Sequence, residues 1–388
     1  MKIAFFVSSL GDTDLALKTI KSIEQKGSHE TILISLTQTA QLRIDNFQSS
    51  SLVTKISLPE ILNDNVNTFP KKLETEAQLK NIIQYIQLQN INYTYLGVPS
   101  VNNEIPFQIA KSLENIPVLM AYEFMFKPES HCLWNQVQEL KTQQNVQWAL
   151  PLADAVDDFD IDDKRKIHIT GHISIDNVYS FQSDSSKSSE EIRRGLQVPI
   201  DQSLAFVSST TQPIEIDVTF LDCLLSELPQ HPNVQLRLGL HPGIQDLEAY
   251  VNEILSIYKK HVDTHHLFKI ILPNDLLRRF KTPELSINDP LLQEAFLIVN
   301  INGSEASFAA DRVAQAVPGA LLNQAVLEGK PSYSHSGKPY LPTQYFANNI
   351  ATFFSSERKS LRMKQDLGLD TKTAPERYAD IIIKACSN

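Results

Sequence analysis

A chain of 388 residues, 42% hydrophobic and 21% charged, is too long for one ordinary core and suits two domains of roughly 150 to 200 residues. A formal net charge of -10 with no basic stripe to offset it excludes nucleic acid as the expected partner. Cys132, Cys223 and Cys386 stand far apart without a CxxC pair, so neither a disulfide scaffold nor a structural zinc site is expected.

In chain order, Ile3 to Ser8 reads as a buried parallel strand, followed by a helix from Leu15 to Lys26 that Asp14 would cap and Gly27 would close. Thr31 to Leu36 and Leu52 to Leu58 read as the next strands, and Glu74 to Gln89 as a helix with Leu79, Ile82, Ile83 and Ile86 on one face. The pattern continues with a strand at Tyr93 to Val98, a helix at Pro106 to Leu113, and strands at Ile116 to Tyr122, Trp148 to Leu152 and His168 to Thr170. Strand, helix, strand at this spacing implies parallel crossovers and a doubly wound α/β half.

A polar run, SDSSKSSEE, then marks the best linker, and the pattern restarts. Strands are expected at Ser203 to Ser208, Val234 to Leu240, Leu267 to Leu272 and Phe296 to Ile301. Helices are expected at Ile214 to Leu228, Leu247 to Tyr258, Asp275 to Phe280, Ala320 to Leu327 and across most of Glu357 to Ala385. The resulting division is a first α/β domain at 1–183, a linker at 184–200, a second α/β domain at 201–360, and a C-terminal helix at 361–388 that could pack back on the first domain. The apolar run in MKIAFFVSSLGD is too short for a signal peptide, and no stretch approaches the length of a membrane span. A cytoplasmic protein is expected, with peripheral membrane contact left open.

Ligands of open α/β sheets bind beyond the carboxyl ends of the strands, which directs attention to the polar residues that follow each apolar run. In the second half these are Ser208-Ser209-Thr210-Thr211, His241-Pro242-Gly243 and Asn302-Gly303-Ser304-Glu305; in the first they are Ser8-Ser9 with Gly11-Asp12, Pro99-Ser100, Glu123 and Gly171-His172. A strand that delivers Gly303 and Ser304 to a helical pattern is a device for holding an anion, since backbone N–H groups and the helix dipole favour negative charge there. Any one such turn is what the fold supplies anyway; the combination of hydroxyls, glycines and an imidazole is what suggests a phosphate. No GxxxxGK[ST], no GxGxxG after the first strand, no HExxH and no GxSxG is present, which argues against ATPase, dinucleotide, zinc-protease and serine-hydrolase readings. Arg237 and Lys330 are the cations that could serve such a site.

With these residues in view, the chain resembles the GT-B glycosyltransferases, which have two Rossmann-like domains facing across a cleft and bind a nucleotide sugar mainly in the second. The HPG at His241 to Gly243 and the segment NGSEASF…LLNQAVLEGKPSY are similar to the HP and Ser-rich motifs of bacterial sialyltransferases and capsule-type Kdo transferases. IHITGHISIDNV resembles the hinge segment of UDP-N-acetylglucosamine 2-epimerases, whose SGG-x-x-EE motif is matched here only by NGSEASF. The resemblance implies that His241, Gly243, Ser304 and Ser307 lie at the donor phosphate, with Gly303 letting the backbone approach. It places Ser208 and Ser209 at the first loop of the donor domain and Glu328 at the ribose.

An inverting transferase also needs a base for the acceptor hydroxyl. Glu123 is the first candidate, Asp12 the second and His172 the third; His131, His265 and His266 have no case for catalysis. The six Asp residues between Asp154 and Asp163 are irregularly spaced and read as a solvated loop, so no metal and no cofactor are expected. The expected activity is metal-independent transfer of a sugar from a nucleotide-sugar donor to a glycan acceptor, as in surface polysaccharide assembly. A sugar-nucleotide 2-epimerase and a catalytically inert binding protein of the same fold are the alternatives. The base, the sugar, the acceptor, the stereochemical outcome and the oligomeric state are left open.

Overall fold

The computed structural model describes residues 1–63, 68–100, 102–125, 132–180, 187–210, 213–244, 246–278, 290–336, 340–341, 346–359 and 367–387. The chain divides into two compact units, one of Met1–Asp176 with Lys364–Asn388 and one of Asn177–Met363.

The first unit holds strands β1 (Lys2–Val7), β2 (Glu30–Ser35), β3 (Val53–Ser57), β4 (Tyr93–Gly97), β5 (Val118–Ala121), β6 (Val146–Leu150) and β7 (Ile167–Ile169). They form a parallel sheet in the order β3-β2-β1-β4-β5-β6-β7. Helices cover both faces of such a sheet, so its central strands must be apolar on both sides; Ile3 to Val7 are accordingly all fully buried. The unit's helices are α1 (Leu10–Lys26), α2 (Gln38–Asp45), α3 (Leu58–Leu62), α4 (Glu76–Leu88), α5 (Ile105–Ser112), α6 (Trp134–Leu140), α7 (Ala155–Phe159) and the start of α8 (Ile173–Ser180).

The second unit begins with α9 (Ser189–Gly195) and continues through β8 (Ser203–Ser208), α10 (Ile214–Glu227), β9 (Val234–Gly239), α11 (Leu247–Lys260), β10 (Phe268–Leu272), α12 (Asn274–Leu277) and α13 (Pro290–Ala295). It ends with β11 (Phe296–Ile298), α14 (Gly303–Ala309), β12 (Arg312–Gln315), α15 (Ala320–Leu327), β13 (Ser332–Ser334) and α16 (Ile350–Ser355). Its parallel sheet runs β11-β10-β9-β8-β12-β13. One face is covered by a core that includes Leu221, Leu224, Val251 and Ile254 of α10 and α11. The other face packs Phe206 with Ile192, Ala306 and Leu322 of α9, α14 and α15. After this second sheet the chain returns to the first unit as α17 (Ala374–Ser387), where Tyr378, Ala379 and Ile382 share a core with Leu15, Ile20 and Ile23 of α1.

Several local expectations are corrected. The first helix starts at Leu10, because Ser9 is its N-cap and Asp12 closes a capping box; Asp14 instead pairs with Arg43 at 2.6 Å. Part of the stretch read as a linker is the helix α9, anchored by the buried Ile192 and Leu196. Ser188 caps that helix and Glu191 completes the box, so SSEE is a helix start as well as a polar run. The acidic loop contains α7, whose Ala155 and Phe159 are buried. Strand β12 was unforeseen: with only Val313 and Ala314 between Arg312 and Gln315 it has no apolar run, yet it lies between β8 and β13.

Candidate functional site

In the first sheet the strand order reverses between β1 and β4, and such switch points open a crevice at the carboxyl ends. Ser8 and Ser9 follow β1, and the first turn of α1 carries Asp12 back against them. Asp12 Oδ2 accepts from the Ser8 amide at 2.9 Å and the Ser8 hydroxyl at 3.1 Å, and Oδ1 from the Ser9 amide at 2.7 Å and hydroxyl at 2.9 Å. Four donors favour the carboxylate, but complete burial outweighs them and raises its pKa to about 6. Gly97, at the end of β4, leaves the space: a Cβ there would stand 2.4 Å from Asp12 Oδ2.

Glu123 follows β5 and is 8% exposed, and no described residue hydrogen-bonds its carboxyl. Burial first, and then the nearby charges of Asp12 and Asp14, raise its pKa well above the ordinary value. The two leading base candidates are therefore brought together with unequal equipment, Asp12 held by four donors and Glu123 without a hydrogen-bond partner among the described residues. Tyr95 lies beside them; its ring meets Tyr378 of α17 edge-on at 5.9 Å, and its hydroxyl is buried without a partner among the described residues.

His172 is differently placed. Its Nδ1 accepts the Ser174 amide at 3.0 Å and lies 2.6 Å from the Ser174 hydroxyl, and it shares no hydrogen bond or ion pair with either carboxyl. Because an amide N–H can only donate, the neutral ring carries its proton on Nε2. Burial holds its pKa down at about 4, so His172 is poorly suited to be the base and is equipped instead as a neutral donor.

In the second sheet the reversal lies between β8 and β12, where Ser208 is paired with Gln315. Ser208 is also paired with Gly239 of β9, so Ser208, Ser209, His241 and Gly243 converge at one edge. The His241 amide donates to Ser209 Oγ at 2.6 Å, and His241 Nδ1 accepts the Gly243 amide at 2.9 Å. This is the arrangement of His172 repeated: burial favours the neutral ring, and with Nδ1 accepting, the proton is on Nε2.

Residues that the sequence reading missed complete this edge. Gly319 is the N-cap of α15 and supplies no side-chain cap; Gln315 Oε1 accepts the amides of Gly319 at 3.0 Å and Leu322 at 3.2 Å. Asn323 donates to the Gly319 carbonyl at 2.9 Å, and its buried Oδ1 has no partner among the described residues. Asp217 of α10 accepts from the Thr210 amide at 2.8 Å and hydroxyl at 3.1 Å, and from the Tyr250 hydroxyl of α11 at 2.9 Å. The signal for the first group was Pro318-Gly319 ahead of a Leu-rich segment, which becomes a strand–turn–helix once Arg312 to Gln315 is a strand. Thr211, in the same loop, lies outside the described residues, as does His131.

The Asn302–Glu305 turn singled out in the sequence does start a helix but is differently equipped. Asn302 caps the Glu305 amide at 2.9 Å and Glu305 returns to the Asn302 amide at 2.9 Å, so a carboxylate already occupies the start of α14. Glu305 also pairs with Lys187 at 3.1 Å. Ser304 is exposed, Gly303 packs under Leu321, and Ser307 is buried with its carbonyl accepting from Lys330 at 2.8 Å. A phosphate at this turn would meet a carboxylate, which opposes the anion role expected of it.

Glu328 is a further correction. It ends α15 on the side where β13 begins, the opposite edge from Ser208 and His241, and its carboxylate holds Lys330 at 2.6 Å. Lys330 in turn caps the last carbonyls of α14. Arg237 is similarly engaged: it is buried on β9 and donates to the carbonyls of Leu196, Leu236, Leu267 and Gln197. Neither candidate cation is free for a ligand. Among the described residues no group of three His, Cys, Asp or Glu could hold a metal, and no helix is long and apolar enough to cross a membrane.

No protein-family model matches the chain and no curated protein matches it in sequence. Solved structures do match its fold. A UDP co-structure of Staphylococcus aureus MnaA aligns with a TM-score of 0.62 at 12% identity, over 100% of this chain and 96% of that one. Methanocaldococcus jannaschii UDP-GlcNAc 2-epimerase, in complex with UDP-GlcNAc and UDP, aligns at 0.60 with 11% identity over the whole of both chains. A glycosyltransferase from Rickettsia africae aligns at 0.57 with 13% identity, over 100% of this chain and 93% of that one. At such identities the likeness establishes the fold alone, two Rossmann-like α/β units of the GT-B type.

Proposed function

We propose that this protein is a glycosyltransferase that takes a sugar from a nucleoside-diphosphate donor. The observation that carries the reading is the nearly buried carboxyl of Glu123 beside Asp12, which has no hydrogen-bond partner among the described residues. In the transfer, an acceptor hydroxyl gives its proton to ionised Glu123 while its oxygen bonds to the anomeric carbon. The bond from that carbon to the phosphate oxygen breaks, and the nucleoside diphosphate leaves with the electron pair. Asp12 does not take the proton; its charge raises the affinity of Glu123 for it.

In the second unit, Ser208, the His241 Nε2–H and the Ala320 and Leu321 amides at the start of α15 are suited to the diphosphate, since they are donors at the strand reversal. A panel of UDP, GDP and CMP tested for thermal stabilisation reads the donor class. Replacing His241 or Ser208 by Ala is expected to weaken the stabilising nucleotide at least tenfold in calorimetry, and Ser304→Ala to leave it nearly unchanged. Unchanged affinity in His241→Ala and Ser208→Ala would show the site to be elsewhere, and no stabilisation by any nucleotide would favour an inert protein.

The same carboxyl pair favours one other reading, a sugar-nucleotide 2-epimerase. Two carboxyls, one disposed to hold a proton and one held by donors, suit the removal and return of a proton at a sugar carbon. Incubation with UDP-N-acetylglucosamine alone separates the two: an epimer or free UDP without acceptor supports the epimerase, and turnover only with an acceptor supports the transferase.

A further inference from the structure

The start of α15 is capped from outside the helix. Gln315 ends β12, and its Oε1 accepts the amides of Gly319 at 3.0 Å and Leu322 at 3.2 Å. An atom that accepts from two N–H groups must be the oxygen, so the orientation of this carboxamide is fixed. Its other end, Nε2, has two protons to donate and no hydrogen-bond partner among the described residues, although Gln315 is only 5% exposed. The carboxamide lies against the turn: a Cβ at Gly319 would stand 2.8 Å from Oε1 and 3.2 Å from Nε2. Of the first amides of α15, those of Ala320 and Leu321 also have no partner among the described residues. Ser208 belongs to the same place. It is the register partner of Gln315, and the two lie two residues beyond Phe206 and Val313, which pack with α14 and α15. Side chains two apart on a strand share a face, so Ser208 and Gln315 both stand on the face that α15 covers.

We propose that Gln315 binds the donor diphosphate and makes the start of α15 selective for it. Oε1 closes the Gly319 and Leu322 amides, and Nε2 joins the Ala320 and Leu321 amides as a donor to phosphate oxygens. The turn is held from the helix side as well, by Asn323 Nδ2 donating to the Gly319 carbonyl at 2.9 Å. The two helix starts on this face of the sheet are thus capped in opposite ways. At α14 the box is closed by the carboxylate of Glu305, and at α15 a neutral oxygen does the same work. A carboxylate at position 315 would satisfy the same amides, and the helix dipole would favour it, but it would repel an anion and could not donate.

This rests on the donor-site reading above, so its test has two arms. In the first, Gln315→Glu is compared with the parent for thermal stability and, by calorimetry, for its affinity for UDP and for uridine. The variant is expected to melt at the parent's temperature or above it and to bind uridine as the parent does. Its UDP affinity should fall about 30-fold or more, because a hydrogen bond to a charged group is lost and a like charge is added. UDP affinity equal to the parent's would overturn the proposal. An equal loss for UDP and uridine, or a loss that comes with a lowered melting temperature, would mark Gln315 as merely structural and overturn it as well.

In the second arm, inorganic pyrophosphate is titrated into the isotope-labelled protein and followed by amide NMR. Shifts are expected at the Gln315 side-chain amide and at the Ala320 and Leu321 backbone amides of the parent, and their loss in Gln315→Glu. Silence at all three positions overturns the assignment whether or not a nucleotide binds. If the parent binds no nucleotide but pyrophosphate moves these signals, the donor-site reading fails and the anion site at Gln315 stands. If UDP binding is weakened by His241→Ala and not by Gln315→Glu, the donor site stands and the role given to Gln315 falls.

Discussion

The carboxyl of Glu123 closes directly on Gly11: a Cβ built at position 11 would stand 2.5 Å from Glu123 Oε1 and 3.2 Å from its Cδ. The obstructed atoms are the end of a flexible side chain, so Gly11→Ala would displace the carboxyl and leave the backbone in place. Alanine is also the better helix former, by about 1 kcal/mol, in the first turn of α1. The expected variant is as stable as the parent, or slightly more so, and slower by about 100-fold or more, the scale of a lost general base. Parallel thermal melts and turnover assays check it; a full-rate variant would remove Glu123 from the proposed chemistry.

If Glu123 must be ionised to accept a proton, the rate rises with pH along a limb set by its raised pKa, well above the usual carboxylate range. The like charge of Asp12 contributes to that raising, so Asp12→Asn is expected to shift the limb to lower pH. The substitution also weakens the bonds from Ser8 and Ser9, and a stability loss of about 1–3 kcal/mol should accompany it. A pH–rate profile that does not move between the parent and this variant would remove the electrostatic coupling from the mechanism.

His172 predicts a pH dependence of stability. Its folded pKa is about 4 against 6.5 for the free group, so between those values the unfolded chain binds more protons. The stability associated with its burial is thus complete above pH 6.5 and lost as pH falls towards 4. Asp12, raised to about 6, acts with the opposite sign, since its contribution is lost as pH rises. Comparing His172→Gln with the parent cancels the Asp12 effect, and the variant should gain relative stability as pH is lowered from 7 to 4 in denaturant titrations. A constant difference across that range would refute the prediction.

Glu328 tests the corrected assignment in the second unit. Its pair with Lys330 at 2.6 Å is nearly buried, and Lys330 also holds the end of α14. Glu328→Ala leaves that ammonium without its counter-charge, with an expected loss of about 3 kcal/mol in chemical denaturation. Nucleotide affinity at temperatures where the variant is folded should match the parent. A large loss of affinity without a loss of stability would restore Glu328 to the donor site.

Most strands were legible because a parallel sheet covered on both faces demands continuous apolar runs, and IAFFV, TILIS and SLAFVS supply them. Strand β12 escaped because its burial comes from lying between β8 and β13 and not from its composition. The same omission hid Gln315 and Gly319, since without β12 there was no strand end from which to look. Glu305 shows the converse: Asn302-Gly303-Ser304 was a correct helix start, but the capping box that defines it brings a carboxylate to the place a phosphate would take.

By itself the sequence determined the two α/β halves, the wide spacing of the three cysteines and the list of polar residues at strand ends, because apolar periodicity and turn chemistry are local properties. Only the tertiary structure decided which of those residues meet. Ser208 beside Gln315, Glu123 against Gly11, and Tyr250 against Asp217 all depend on strand order, which places distant segments side by side. Burial then sets their protonation and hydrogen-bond direction, a consequence of packing that no single stretch of chain encodes.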